Sequence, residues 1–280
     1  MALIDIRGLA KSYGSRSILE NVNLTVEQGE FVSVVGTSAS GKTTLLSIAA
    51  GLRVGDKGSV QVAGKPVDGF PAGAAIVFQN YSLLPWFSAL ENVRLAVEAA
   101  YPAWTRAQQT AKAETALKKV GLGAALHKRP GQLSGGMRQR VAIARAFAVD
   151  PTALFLDEPF GALDALTRAT LQQELARLCT EAEKPVTALM ITNNVDEAIL
   201  LSDRILALTK GPGATLGPAI PVELPRPRTA ATLLHDERAV RIRSKVAQYL
   251  TGLAGTVTGK LRPAAHSSVR STLATEANRA

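Results

Sequence analysis

The chain has 280 residues, 46% of them hydrophobic, with 32 Lys or Arg against 23 Asp or Glu, a single cysteine and a formal net charge of +9. That much apolar material supports a sizeable core, and one cysteine, Cys179, excludes an internal disulfide framework and suits a reducing cytosol. No charged-then-apolar leader opens the chain, and no uninterrupted apolar run approaches the roughly 20 residues a membrane helix needs, so the expectation is a protein that does not itself span a bilayer.

In chain order, residues 2–30 alternate as short strands, with Val22, Leu24 and Val26 on one face. Phe31 to Val35 is an apolar run that predicts a buried strand, and Thr44 to Ala50 predicts a helix stopped by Gly51. Between them stands Gly36-Thr37-Ser38-Ala39-Ser40-Gly41-Lys42-Thr43, the phosphate-loop pattern G-x-x-x-x-G-K-[ST] in the strand–turn–helix context it requires. Backbone N–H groups of such a turn wrap phosphates, Lys42 adds a positive charge toward the β- and γ-phosphates, and the Thr43 hydroxyl suits Mg²⁺. Gly58 to Lys65 reads as a hairpin that joins the first, antiparallel layer.

Residues 74–79, 152–158, 186–192 and 203–209 read as further core strands, and 85–150 as mostly helical, including Thr105 to Val120 and a helix from Gly135 to Val149. The turn Ser134-Gly135-Gly136 at the head of that second helix aims free N–H groups outward, where an anion is favoured. Nothing near it in sequence supplies other phosphate-binding elements. The run Ala153 to Leu156 ends in Asp157-Glu158, placing two acids at the C-terminal end of a central strand, where open α/β sheets bind ligands. Asp157 is a candidate Mg²⁺ holder, and Glu158 a candidate to polarise the attacking water. Cys179 falls in a helical stretch with Leu171, Leu175 and Leu178 and reads as packing, as does Trp104.

The charge is uneven. Residues 226–280 carry ten Lys or Arg and three acids, so +7 of the +9 resides there. A helix from Leu233 to Leu253, then small and polar residues beyond Gly255 that suggest disorder, describe this tail. It is either a solvated appendage or a surface for anionic lipid or nucleic acid.

The octapeptide Leu133-Ser134-Gly135-Gly136-Met137-Arg138-Gln139-Arg140, together with the phosphate loop and Asp157-Glu158, resembles the ATP-binding subunits of ABC importers, and the likeness covers roughly residues 2–225. It implies an α/β fold: a P-loop NTPase core of the RecA-like kind, an antiparallel β-subdomain and an ABC-specific helical insertion at about 85–150. It implies ATP and Mg²⁺, with ATP held by Gly36, Thr37, Ser38, Ala39, Ser40, Gly41, Lys42, Thr43 and Thr44 of one chain and by Ser134, Gly135 and Gly136 of another. Tyr13 matches the family's adenine-stacking aromatic, and Asp164 the segment that crosses the dimer interface. Gln79 matches the glutamine that contacts Mg²⁺ and the water, so Thr43, Gln79 and Asp157 form the expected metal set and Glu158, Asn193 and Gln79 the catalytic one. Implied partners are a second identical or different ATPase subunit, integral membrane permease subunits and, indirectly, a periplasmic solute-binding protein, at the cytoplasmic face of a bacterial inner membrane; nucleic acid is not expected.

Two departures from the family pattern stand out. Ala39 occupies a position usually held by Gly, so either its backbone angles are ordinary or strain is stored there. Asn193-Asn194 replaces the usual His-Asp. Asn193 can donate to a γ-phosphate but carries no positive charge and shuttles no proton, which suggests slowed turnover; it also reads as a helix cap before Val195. Tyr81 to Phe87 is rich in apolar groups, forming either the groove for a permease helix or internal packing. The segments Trp86 to Val93 and Phe160 to Arg168 resemble nitrate, sulfonate and taurine importers, and Val195 to Arg204 with Gly211 to Gly217 resemble the nitrate, nitrite, cyanate and bicarbonate branch. Sulfonate or taurine uptake stays open, as do a pore-less soluble ABC ATPase and a weakly hydrolysing regulatory subunit.

Overall fold

A computed structural model describes residues 1–181 and 186–252; the tail beyond Gly255, read above as disordered, lies outside the described residues. In chain order the elements are β1 (Ala2–Tyr13), β2 (Arg16–Glu27), β3 (Phe31–Val35), α1 (Lys42–Ala49), β4 (Lys57–Val62), β5 (Lys65–Pro66) and β6 (Ala74–Val77). Then come α2 (Ala89–Ala100), α3 (Arg106–Lys119), α4 (Gly135–Phe147), β7 (Ala153–Asp157), α5 (Ala165–Thr180), β8 (Thr187–Thr192) and α6 (Val195–Leu201). The chain continues through β9 (Arg204–Ala207), β10 (Ile220–Pro221), α7 (Ala230–His235) and α8 (Glu237–Leu250).

Two sheets organise these elements. One is antiparallel, in the order β2-β1-β4-β5, and the other runs β10-β9-β3-β8-β7-β6 with every pairing parallel except β10 to β9. The parallel strands are buried on both faces, which is why they read as mostly apolar runs rather than as alternation. Their side chains still alternate. In β7, Ala153 and Phe155 enter a core shared with β1, β2 and α1, whereas Leu154 and Leu156 enter a second core shared with α2, α3, α4 and α5. In β8, Leu189 and Ile191 enter the first, and Ala188 and Met190 the second. A third core, of Ala198, Ile199, Ile205, Ile220, Val222, Leu233, Ala239, Ile242 and Val246, seats α7 and α8 on the β9 edge.

Local signals place the helical segment. Ser88 caps α2 and Thr105 caps α3, each in a reciprocal capping box with Glu91 and Gln108. The single helix expected from Leu233 to Leu253 is instead two, because Asp236 leaves helical geometry and its carboxylate caps α8 by accepting from the Arg238 N–H at 2.8 Å. Cys179 sits on α5 against the helical-side core, and burial pushes its thiol up to about 12, consistent with packing. Trp104 stacks on Tyr101 at 4.3 Å between ring centres.

Sheet order positions the site. The parallel neighbours β3, β8, β7 and β6 all point the same way, so their C-terminal ends form one rim. The residues that follow them are the phosphate loop after Val35, Asn193 after Thr192, Glu158 after Asp157 and Gln79 just beyond Val77. Four stretches far apart in sequence therefore meet along one edge, as expected for an open α/β sheet.

Candidate nucleotide site

The turn from Gly36 to Gly41 packs too tightly for larger residues at its glycines. A Cβ on Gly36 would stand 2.7 Å from Ser40 Oγ, and one on Gly41 2.9 Å from Ile18 Cγ2; Gly41 also has φ +104°. Ala39 has φ +60°, so strain is stored there, at roughly 1–2 kcal/mol for an L-residue in the left-handed region. Ser40 Oγ is buried without a hydrogen-bond partner, an orphan that an incoming polar ligand would relieve.

Lys42 is 4% exposed. Its Nζ donates to the carbonyls of Gly36 and Thr37, both at 3.0 Å, and stands 3.3 Å from Glu158 Oε1. The loop thus folds around its own cation. Thr43 Oγ1 donates to Asp157 Oδ1 at 3.3 Å. Burial raises the Asp157 pKa; the Thr43 hydrogen bond opposes this, the Glu158 charge adds to it, and Lys42 opposes it. Asn193 Nδ2 donates to Glu158 Oε2 at 3.4 Å, so Glu158 is bracketed by Lys42 and Asn193. Glu158 itself has φ +42°, a conformation that turns the acid out of the strand direction.

These groups surround a cleft of about 480 Å³ lined by the loop from Ser38 to Thr44 with Gln79 and Glu158, and by Arg16 and Ile18. Arg16 and Ile18 escaped the sequence reading because the start of β2 carries no motif; their place in the cleft wall, and for Ile18 its contact with Gly41, reveal them. Gly161 was missed too. A Cβ there would lie 3.4 Å from Gln79 Nε2 and 3.8 Å from Glu158 Oε2, so its lack of a side chain keeps room beside both. Tyr13 is 43% exposed at the end of β1 and outside the cleft wall, with Lys11 Nζ and the Arg53 guanidinium each 5.7 Å from its ring centre and Arg53 donating to its hydroxyl at 3.0 Å.

The Ser134 turn does not line this cleft. Ser134 caps α4, accepting from the Met137 N–H at 3.3 Å. A Cβ on Gly136 would stand 2.5 Å from Thr167 Cγ2, so that glycine permits close packing of α4 on α5. Asp164 is the cap of α5; its carboxylate accepts from the Thr167 N–H at 3.0 Å, and that bond holds its pKa below the usual range. The cap of α6 is Asn194, which accepts from the Asp196 and Glu197 N–H groups at 2.9 and 3.4 Å. This corrects the reading of Asn193 as the cap: the cap stands one residue on, and Asn193 is left facing Glu158.

Thr43, Asp157 and Gln79 are oxygen donors with a single carboxylate among them, which matches the preference of Mg²⁺ for one or two carboxylates completed by phosphate and water. Among the described residues no cluster of three or more His, Cys, Asp or Glu is placed to hold a metal ion.

A strand–phosphate loop–helix on the rim of a parallel sheet, with an acid pair on a neighbouring strand, defines a P-loop nucleotide hydrolase. Residues 19–161 match the ABC transporter family, and the chain belongs to that family as an ATP-binding, ATP-hydrolysing subunit. It is 47% identical over 232 residues to the nitrate import ATP-binding protein NrtD of Synechococcus elongatus, covering 83% of this chain and 84% of that one. It is 46% identical over 237 residues to the bicarbonate transport ATP-binding protein CmpC of a Synechocystis strain, covering 85% of this chain but only 35% of that longer protein. It is 43% identical over 253 residues to the nitrate transport protein NasD of Klebsiella oxytoca, covering 89% and 96%. Among solved structures, a dimeric bacterial ABC transporter cassette superposes with TM-score 0.70 at 32% identity, and a post-hydrolysis dimer of an ATP-binding cassette bound to ADP and Pi with TM-score 0.69 at 30%. Each covers 79% of this chain and 99% of the other.

Proposed function

We propose that this chain powers import of a small oxyanion, nitrate or bicarbonate, by binding and hydrolysing ATP in a sandwich of two ATPase subunits. The observation that carries the reading is the separation of two phosphate-binding turns: the cleft gathers Lys42, Thr43, Gln79 and Glu158, and the Ser134 turn lies outside it. One chain thus owns two unlike half-sites, and head-to-tail pairing completes both. The likeness to ATP-binding subunits of nitrate and bicarbonate transport and to dimeric ATP-binding cassettes supports it.

In the proposed mechanism the loop N–H groups and Lys42 hold the β- and γ-phosphates of one ATP, and Ser134 and Gly136 of the second copy close on its γ-phosphate. Thr43, Asp157 and Gln79 would hold Mg²⁺, which would supply charge neutralisation on the phosphates. Lys42 leaves Glu158 for phosphate, which frees that carboxylate to orient and deprotonate the attacking water. Asn193 keeps a donor toward Glu158 and the γ-phosphate. Cleavage removes the group that bridges the halves, and they part. Tyr13 stacks on the adenine, and Asp164 crosses the interface. The ATPase domain spans residues 2–225, with its helical insertion at about 85–150 facing the permease; α7 and α8, expected within a solvated appendage, instead pack into the third core against Ile199, Ile205 and Ile220.

No helix among the described residues is long and apolar enough to cross a membrane; the likeness to nitrate and bicarbonate import ATP-binding proteins supports assigning the pore to integral permease subunits and this chain to the cytoplasmic face of a bacterial inner membrane. Trp86, 63% exposed, and the half-buried Leu83 and Phe87 offer the permease an apolar surface. The test is reconstitution with the permease and solute-binding protein of the same transport system in vesicles. Nitrate or bicarbonate on the binding protein should raise ATP hydrolysis, and taurine or an alkanesulfonate should not; stimulation by a sulfonate alone would overturn the assignment. The Asn193–Glu158 contact favours one second reading, a slow regulatory ATPase, which single-turnover hydrolysis in the same vesicles distinguishes.

A further inference from the structure

Two residues beyond Gln79 the backbone makes an unusual move. Tyr81 and Ser82 both lie in the left-handed region, with φ +66° and +47°, which L-residues adopt only when their surroundings hold them there. The turn is tight: the Tyr81 N–H donates to the Phe78 carbonyl at 3.0 Å and the Ser82 N–H to the Asn80 carbonyl at 2.8 Å. The surroundings that hold it belong to α4. Arg145 donates from Nη2 to the Tyr81 carbonyl at 2.9 Å and from Nη1 to the Ser82 carbonyl at 2.6 Å. At the other end of the helix the Arg138 guanidinium lies 5.5 Å from the centre of the Tyr81 ring, and a Cβ on Gly135 would stand 3.5 Å from the Tyr81 hydroxyl. Arg145 is half-buried, and burial lowers its pKa, so its charge leans on these two carbonyls.

The segment from Gln79 to Ser82 therefore has one end in the cleft and the other fastened along α4, whose N-terminus is the Ser134 turn. Neither Arg138 nor Arg145 lines the cleft. We infer that Arg145 is a positioning residue that ties the Gln79 loop to α4, so that ATP in this chain's own cleft sets how its Ser134 turn is offered to a second copy. The inference rests on the two-half-site reading above and adds to it a physical link between the halves within one chain. Without the clamp the cleft still binds ATP, but the left-handed turn relaxes and α4 loses its report of occupancy.

The test uses the full chain carrying Glu158→Gln, to preserve bound ATP, and Trp104→Phe, which leaves Trp86 as the sole indole. Three quantities are measured with Mg·ATP: nucleotide affinity at high dilution, the Trp86 emission change at that dilution, and pairing by sedimentation. In Arg145→Met, ATP affinity should stay within about twofold of the parent, the Trp86 response should vanish and pairing should weaken at least about tenfold. Arg145→Lys, with the charge but without the forked donor, should fall between. Parent-like pairing and emission in Arg145→Met would overturn the inference, and should that variant fail to fold, parent-like behaviour of Arg145→Lys overturns it equally. If the parent binds ATP yet never pairs, the two-half-site reading fails, while the Trp86 response, which needs no pairing, still decides the clamp.

Discussion

The phosphate loop and the Ser134 turn are both glycine turns that open a helix, yet they are built oppositely. The α1 cap is Gly41 in the left-handed region, with no side chain bonded to the first turn, and a buried Lys42 stands at the helix start. The α4 cap is Ser134 in extended geometry, with its hydroxyl already on the Met137 N–H. Strain is concentrated in the first, at Ala39, and absent from the second, where no residue from Leu133 to Gly136 has positive φ. The uncapped, strained turn around a cation leaves orphans such as Ser40 Oγ for a ligand to satisfy. On the proposed two-half-site reading, the relaxed turn, already capped, offers only its surplus N–H groups to a phosphate held by a second copy.

Mutations can break that contrast. The largest effect belongs to Glu158→Gln, which should lower steady-state ATP hydrolysis by about 10²–10⁴-fold while ATP still binds; hydrolysis within tenfold of the parent would remove Glu158 from its role. Next, Lys42→Ala should abolish measurable ATP binding by the single chain, whereas Ser134→Arg should leave that binding within about twofold and eliminate hydrolysis that depends on pairing. Equilibrium binding of a fluorescent ATP analogue separates the two, and equal losses would erase the distinction between the turns. Asn193→His should raise turnover by up to about tenfold. The gain should grow as pH falls through about 6.5, because the imidazolium adds attraction to the γ-phosphate; a pH–rate profile of the ratio checks it, and no gain at any pH denies that the site is slowed.

Smaller effects concern stability. Because burial raises the Asp157 pKa, its ionised form is disfavoured by the fold, and the stability it withholds at neutral pH returns as pH falls through that raised value. Asp157→Asn should therefore raise Tm by about 2 °C at neutral pH while impairing hydrolysis, with the gain shrinking in acid. Ala39→Gly should raise Tm by about 1–2 °C, as relief of positive φ exceeds the entropic cost of glycine. Thermal scans read both, and a lower Tm for the glycine variant would mean that the loop is not strained at Ala39.

Most of the core was legible because buried parallel strands announce themselves: the runs from Phe31 to Val35, Ala153 to Leu156 and Thr187 to Thr192 are mostly apolar, broken only by Ser33 and the two terminal threonines, and each is a strand within a residue or two of its expected bounds. The phosphate loop and the acid pair carry their chemistry in contiguous residues, so their neighbourhood followed from sheet order. What stayed hidden depends on contacts across the fold. Nothing local marks Ile18 as the wall beside Gly41, Gly161 as the space beside Gln79, or Arg145 as the clamp on Tyr81 and Ser82. The break at Asp236 was obscured because Leu233 and Val240, seven residues apart, fall on one helical face across it, although Asp followed by Glu is a sound cap signal. Asn194 rather than Asn193 caps α6 because only that side chain reaches two successive N–H groups.

The measurement that bears most directly on the account is the mass of the full chain carrying Glu158→Gln in saturating Mg·ATP, taken by analytical ultracentrifugation beside the nucleotide-free protein. The account predicts a single species without nucleotide and a doubled mass with it, reversed when Ser134→Arg is added. A chain that stays single with ATP bound, and whose unmutated form hydrolyses ATP at full rate while single, would contradict it.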